Sequence, residues 1–119
     1  MRSGTEDKHT IELVNFLRKK AKENKAPIWA AIAEKLEKPK RRRIQVNIYK
    51  IGKYVKENES AVVPGKVIGS GDIKHKVTIA ANRFSKMVKE KVRKAGGNCI
   101  TIKELVESNP KGSGVKIIG

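Results

Sequence analysis

Apolar residues recur at helical spacing in the first 59 positions. Between residues 10 and 23 they fall every three or four positions, which is typical of a helix with one buried face; they are Ile11, Val14, Leu17 and Ala21. Thr5 or Thr10 could cap this helix, and Asn24 ends it. A second helix is predicted from Pro27 to the residues before Pro39, because proline fits the first turn of a helix and disfavours helix in the preceding residue. A third is predicted on the face formed by Ile44, Ile48, Ile51 and Val55.

After residue 60 the pattern changes to short β-branched runs separated by glycine and proline. We predict strands at 61–63 and 66–68 joined by a Pro64-Gly65 turn, a strand at 77–79, and a helix over 80–95 that stops at Gly96-Gly97. A strand at 99–102, a helix at 103–108 and a strand at 115–118 follow. The whole, residues 1–119, is predicted to be a single mixed α/β (α+β) domain, with a helical part at 1–59 and an α/β part at 60–119.

Charge indicates the class of partner. The chain of 119 residues has 28 Lys and Arg against 12 Asp and Glu, a net charge of +16. Such a charge destabilises a compact protein by self-repulsion, and a polyanion would relieve it. Nucleic acid is the favoured partner, because neutralising its phosphates drives binding. A membrane is disfavoured, since no run approaches the roughly 18 apolar residues of a span and no basic helix has an aromatic-rich face.

Catalytic and metal-binding patterns are absent from the sequence. Gly65, Gly69 and Gly71 do not have the spacing of a phosphate-binding loop. We therefore predict that these glycines form a tight turn that needs positive φ. Such a turn is compatible with close approach of the backbone to RNA. His9, His75 and Cys99 do not have metal-ligand spacing. The single cysteine cannot form an intramolecular disulfide, and the start of the chain lacks the apolar run of a signal peptide, so we expect a cytoplasmic protein without cofactor, metal, small-molecule substrate or enzymatic activity.

An uninterrupted basic segment, Lys38-Pro39-Lys40-Arg41-Arg42-Arg43, lies between the second and third predicted helices. Charge runs are often only solvated or serve as localisation signals. The position between two helices is expected to hold this basic segment at a fixed point of the surface. The arginine side chain can bind phosphates and stack on unpaired bases. We therefore interpret it as an RNA contact. Trp29 is predicted to be a core residue, whereas Tyr49 and Tyr54 are open between core and base stacking.

Several motifs, in order along most of the chain, resemble the large-subunit ribosomal protein L-eighteen-e (L18e) family. They are Glu37 to Arg43 followed by Val46-Asn47-Ile48 and Ile51, then residues 62–71, residues 77–81, Phe84-Ser85 and residues 95–97. The later half also resembles the C-terminal half of bacterial ribosomal protein L-fifteen. The resemblance implies an archaeal ribosomal protein whose partners are large-subunit ribosomal RNA and neighbouring ribosomal proteins. It also implies N-terminal helices packed on an irregular superhelix of short β-β-α units.

The predicted function is therefore structural, namely binding and stabilising large-subunit ribosomal RNA. Two alternatives are a general nucleic-acid-binding or RNA-chaperone protein and a small nucleotide-dependent enzyme. Asn47 is expected to contact RNA or to fix the start of the third helix, and Arg83 and Lys86 to contact RNA from the helix that follows the glycine loop. The complete predicted RNA-binding set is Lys38, Lys40, Arg41, Arg42, Arg43, Asn47, Lys66, Ser70, Lys74, Lys76, Arg83 and Lys86.

Overall fold

The computed structural model describes residues 8–38, 44–57, 59–69 and 71–119. These residues form five helices and five strands. The helices are α1 (Lys8–Glu23), α2 (Pro27–Glu37), α3 (Ile48–Tyr54), α4 (Lys86–Lys94) and α5 (Ile102–Ser108). The strands are β1 (Gln45–Asn47), β2 (Ser60–Ile68), β3 (Thr78–Phe84), β4 (Asn98–Ile100) and β5 (Val115–Ile117). The predicted mixed α/β class is confirmed.

All strand pairs in the described sheet are parallel. The order is β1-β2-β3-β4, and β5 also pairs with β2. Strand β2 is long enough for two partners in succession, because β5 pairs with residues 60–62 and β1 with residues 66–68. Between these two segments the pairing of β2 with β3 shifts register, from Val63 to Lys66. The shift lies beside the candidate site described below.

Helices cover both faces of the sheet. Ala61 and Val63 of β2 pack in the cluster that includes residues of α3 and α4, while Val62 between them packs in the cluster with α1, α2 and α5. Because side chains alternate along a strand, a strand buried on both faces reads as a continuous apolar run. This explains Ala61-Val62-Val63 and Ile79-Ala80-Ala81. Trp29 is fully buried and its indole N–H donates to the Pro110 carbonyl at 2.7 Å, so its prediction as a core residue is confirmed.

The third helix differs from its prediction at its start. It begins at Ile48, not near Ile44, because Gln45–Asn47 pairs with β2 as a strand. The Asn47 side chain accepts a hydrogen bond from the Tyr49 backbone N–H at 3.0 Å and so caps the helix. The first helix also begins earlier than predicted, at Lys8, so Thr10 lies within it, and Thr5 is outside the described residues.

Two further boundaries were predicted wrongly. Residues 60–68 form one strand with a register shift, so Pro64-Gly65 is not a turn between two strands. The predicted helix over 80–95 is a strand through Phe84 and a helix only from Lys86. Ala80 and Ala81 favour helix by propensity, but they are buried in the middle of the sheet, and tertiary burial outweighs propensity. The predicted stop is confirmed, with Gly96 at φ +85°.

Candidate nucleic-acid interface

The structure describes seven of the twelve predicted RNA-binding residues. Lys38, Lys74, Lys76, Arg83 and Lys86 are exposed, whereas Asn47 and Lys66 are partly buried. Lys40, Arg41, Arg42, Arg43 and Ser70 lie outside the described residues. Arg83 belongs to β3, so the expectation that it projects from a helix is wrong. Lys86 is the first residue of α4, as the expectation of a helical position requires.

Two of these residues, Lys66 and Arg83, line one cleft of about 390 Å³. The cleft lies where the N-terminal ends of α1 and α5 approach β1, β2 and β3. Lys66 and Arg83 are register partners on the adjacent strands β2 and β3. Neighbouring strands are about 4.8 Å apart, so the two side chains leave the sheet from adjacent positions. The remaining lining residues are His9, Thr10, Leu13, Ile44, Gln45, Gly65, Ala81, Asn82, Thr101, Ile102 and Lys103.

A close backbone approach at Gly65 shapes one wall of the cleft. A Cβ on Gly65 would lie 2.5 Å from the Ile44 carbonyl oxygen and 2.7 Å from the Ile44 Cβ, so only glycine fits here. The Lys66 backbone N–H donates to the same carbonyl at 3.0 Å. Ile44 is therefore fixed against β2. Because Ile44 directly follows the basic segment in sequence, the segment joins the described structure at the rim of this cleft.

The cleft is electropositive and has solvent-exposed polar side chains in its lining. Within the described residues, neither Lys66 nor Arg83 has an ion-pair partner, and the side-chain amides of Gln45 and Asn82 form no hydrogen bond. Lys103 adds a third cation, whose ammonium nitrogen lies 5.4 Å from the centre of the Phe16 ring. Like charges on adjacent strands are destabilising. This arrangement is suited to an anionic ligand that supplies hydrogen-bond acceptors.

Sequence reasoning missed three of the polar cleft residues, namely Gln45, Asn82 and Lys103. Their residue types carry no distinguishing signal, since exposed Lys, Asn and Gln are common throughout surfaces. The order of secondary structure would have given a partial signal. Ligand sites in parallel sheets favour the carboxyl ends of strands, and Asn82 lies towards that end of β3.

Gly71 of the glycine loop (residues 69–72) lies against the start of α3. The Lys91 ammonium donates to the Gly69 carbonyl at 2.7 Å and to the Gly71 carbonyl, and lies 3.8 Å from the Asp72 carboxylate. Only Gly71 of the three cluster glycines has positive φ, at +97°, so the expectation for Gly65 and Gly69 is corrected. A Cβ on Gly71 would lie 3.1 Å from the Tyr49 Cβ. Asn47, at this junction, has the second of its two predicted roles, fixing the start of the helix.

Other candidate groups have simpler environments. Tyr49 and Tyr54 are exposed, at 61% and 52%, which places both outside the core. Burial raises the pKa of the half-buried Cys99 thiol, with the nearby Lys89 charge acting in the opposite direction.

In the described part of the chain, no group of three or more His, Cys, Asp or Glu could hold a metal ion. None of the helices described there is long and apolar enough to cross a membrane.

Comparison with known proteins tests the resemblance. The family model described as "Ribosomal protein 60S L18 and 50S L18e" matches residues 4–119. The large ribosomal subunit protein eL18 of Archaeoglobus fulgidus is 48% identical over 108 residues, which cover 91% of this chain and 92% of that protein. The eL18 protein of Methanococcus maripaludis is 45% identical, and the match covers 92% of this chain and 91% of that protein. The eL18 protein of Methanothermobacter thermautotrophicus is 44% identical, and the match covers 91% of this chain and 89% of that protein. The predicted resemblance is confirmed, and the chain belongs to this family of ribosomal proteins, which are structural components and not enzymes.

Proposed function

We propose that this protein binds folded large-subunit ribosomal RNA through its basic surface and thereby stabilises the RNA fold. Family membership makes it a structural constituent of the ribosome and places it, with the ribosome, in the cytoplasm. The RNA contacts are the proposed part. Neighbouring ribosomal proteins are the second class of partner that a position in the subunit implies.

The observation that carries the proposal is the pairing of Lys66 with Arg83 across β2 and β3. Two cations on adjacent strands repel each other, and no described carboxylate forms an ion pair with either. The fold tolerates this cost in a chain that already has a net charge of +16. RNA phosphates would neutralise both cations. Charge-assisted hydrogen bonds to phosphate are roughly twice as strong as neutral ones.

Salt dependence tests the electrostatic basis of the proposal. Affinity for protein-free large-subunit RNA is expected to fall roughly a thousandfold or more between about 50 and 200 mM salt, as for a protein with six to ten phosphate contacts. Filter binding over a salt series measures this slope, and duplex DNA of matched length is the competitor. A flat response refutes the electrostatic account. Equal competition by duplex DNA supports a general nucleic-acid-binding protein instead.

The basic segment gives a second test, because it separates position from bulk charge. Replacing Arg41, Arg42 and Arg43 with Gln removes three charges from the segment that directly precedes Ile44 in the sequence. The control variant replaces three lysines of α1 with Gln, namely Lys19, Lys20 and Lys22. Lys19 and Lys20 form ion pairs with exposed Glu23, at 4.0 and 3.1 Å, and such pairs contribute about 0–1 kcal/mol. The Lys20 ammonium also lies 5.8 Å from the centre of the Phe16 ring, so thermal unfolding of the control variant is measured as well.

Both triple variants have the same net charge, so a purely long-range field predicts equal losses of RNA affinity. Arginines that contact particular phosphates or unpaired bases predict a larger loss in the arginine variant, with about 1.5–3 kcal/mol for each charged hydrogen bond. The measurements are RNA affinity at fixed salt and incorporation into large subunits. Equal losses would mean that the segment is not a specific contact.

A further inference from the structure

We infer that the cleft receives a single unpaired nucleotide of the RNA, with its base inserted and its phosphate at the Lys66–Arg83 pair. The inference rests on the proposed function and deepens it. It names the RNA element that this site recognises, which is an extruded base in a loop, bulge or junction and not a helical segment.

The size of the cleft suits one nucleotide. Its volume of about 390 Å³ falls near the lower end of the roughly 300–1,000 Å³ range of small-ligand sites. A base pair within a duplex cannot enter such a space, because its neighbours and both backbones would have to follow. Double-stranded RNA is instead bound across its shallow minor groove through shape and 2′-hydroxyl contacts. A concave site therefore favours a nucleotide that has left the stack.

The lining combines the three kinds of group that a nucleotide requires. Leu13 and Ile44, both partly exposed, supply apolar surface for the faces of a base. Gln45 and Asn82 each carry an amide oxygen that accepts and an amide nitrogen that donates, which matches the Watson–Crick edge of an unpaired base. Lys66, Arg83 and Lys103 supply the charge for its phosphates. A site for phosphate alone would not need the apolar surface.

The amides are the decisive groups. Gln45 and Asn82 line the cleft as exposed side chains without a hydrogen bond to any described residue, so in the free protein their amides bond to water. Polar groups that face a partly apolar cleft favour a ligand that satisfies them, because unpaired amides become costly once water is displaced. A paired base still presents its groove edges, but the concave cleft admits a base only after it has left the stack, and its Watson–Crick edge is then available to both amides. An unpaired base satisfies them.

The test combines affinity with base-specific chemical probing, using the full chain and protein-free archaeal large-subunit RNA. The variant Lys66→Gln/Arg83→Gln removes the phosphate contacts, and Gln45→Ala/Asn82→Ala removes the base-edge contacts. A matched control, Lys89→Gln/Arg93→Gln, removes two charges from exposed positions on α4, on the opposite face of the sheet. Thermal unfolding of each variant checks folding, and loss of the Lys66–Arg83 repulsion is expected to leave the melting temperature unchanged or higher.

Dimethyl sulfate, kethoxal and carbodiimide together report the Watson–Crick edges of all four bases. The wild-type protein is expected to protect one unpaired base, and the amide variant to restore most of its reactivity. The charge variant is expected to lose at least about tenfold in affinity, since each hydrogen bond to a charged group contributes roughly a tenfold or larger factor. The control variant should keep the protection and lose less affinity.

Several results would overturn the inference while leaving the proposed function intact. One is that the wild-type protein binds the RNA but protects no unpaired base. The same holds if it protects such a base and the Gln45→Ala/Asn82→Ala variant protects it equally well. Another is an equal affinity loss in the cleft and control charge variants. A third is binding of free mononucleotides to the cleft at millimolar concentration without any RNA protection, which would assign the cleft to a soluble nucleotide. Failure of the wild-type protein to bind the RNA at all would instead refute the proposed function.

Discussion

Replacing Gly65 with alanine tests the contact that joins the start of β1 to the cleft. The added Cβ would lie 2.5 Å from the Ile44 carbonyl oxygen and 2.7 Å from two Ile44 side-chain carbons. One of these neighbours is backbone, so a rotamer change cannot relieve the overlap. The strands must separate, and the 3.0 Å hydrogen bond from the Lys66 N–H to the Ile44 carbonyl is lost or lengthened.

The magnitude follows from three terms. Overpacking of a well-packed site costs about 1–3 kcal/mol. Loss of one backbone hydrogen bond costs about 0.5–1.5 kcal/mol. The lower conformational entropy of the unfolded alanine variant offsets about 0.4–1 kcal/mol. The Gly65→Ala variant is therefore expected to lose about 2 kcal/mol of unfolding free energy and, given the usual total of about 5–15 kcal/mol, to stay folded.

Gly52→Ala is the matched control. Gly52 lies in α3, where a Cβ would be 3.5 Å from Ile73 Cγ1, an ordinary van der Waals contact. Alanine is favoured over glycine in a helix by up to about 1 kcal/mol, so this variant is expected to be as stable as wild type or more stable. Urea unfolding measures both variants. If Gly65→Ala matches Gly52→Ala in stability, the approach of Ile44 to β2 is not a real constraint and the proposed fixed rim of the cleft is wrong.

Two further predictions concern the glycine loop and the buried thiol. Lys91→Met removes the ammonium that bonds the Gly69 and Gly71 carbonyls, so we expect a loss of about 1 kcal/mol of unfolding free energy and faster amide hydrogen exchange in the loop; unchanged exchange would show that Lys91 does not brace it. Burial raises the folded pKa of Cys99, so as pH rises past about 9.0 the unfolded chain releases its thiol proton first and stability falls. Alkylation of Cys99 near that pH should be faster in urea than in buffer. The Cys99→Ser variant should not show this contribution to the loss of stability at alkaline pH. Equal alkylation rates in urea and in buffer would contradict a raised pKa of Cys99 in the folded protein.

The sequence predicted α1, α2 and α5 well because their apolar spacing is a local property of each segment. It failed at β1 because Ile44 and Ile48 are four residues apart, which fits a helix as well as a strand followed by a helix. Only the pairing of Gln45–Asn47 with residues 66–68 decides between them. The same limit applies at Ala80 and Ala81, where long-range burial between two helical layers overrides alanine's preference for helix.

Charge identified Lys66 and Arg83 as separate candidates, but their adjacency depends on strand register. Val63 pairs with Ala81, whereas Lys66 pairs with Arg83, so β2 uses one residue more than β3 across this interval. No local pattern in either segment encodes that shift. The amides were missed for a related reason, since Gln45 and Asn82 differ from other polar residues only in where the folded chain brings them together.

The register shift lies on β2, which advances three residues from Val63 to Lys66 while β3 advances two. In a regular strand, neighbours point to opposite faces. Here two consecutive residues of β2, Gly65 and Lys66, both line the cleft, as do Asn82 and Arg83 of β3. Strand irregularities often re-aim side chains beside functional sites. Without the shift, the register that pairs Val63 with Ala81 would place Lys66 opposite Phe84, and the two cations of the proposed phosphate contact would no longer be register partners.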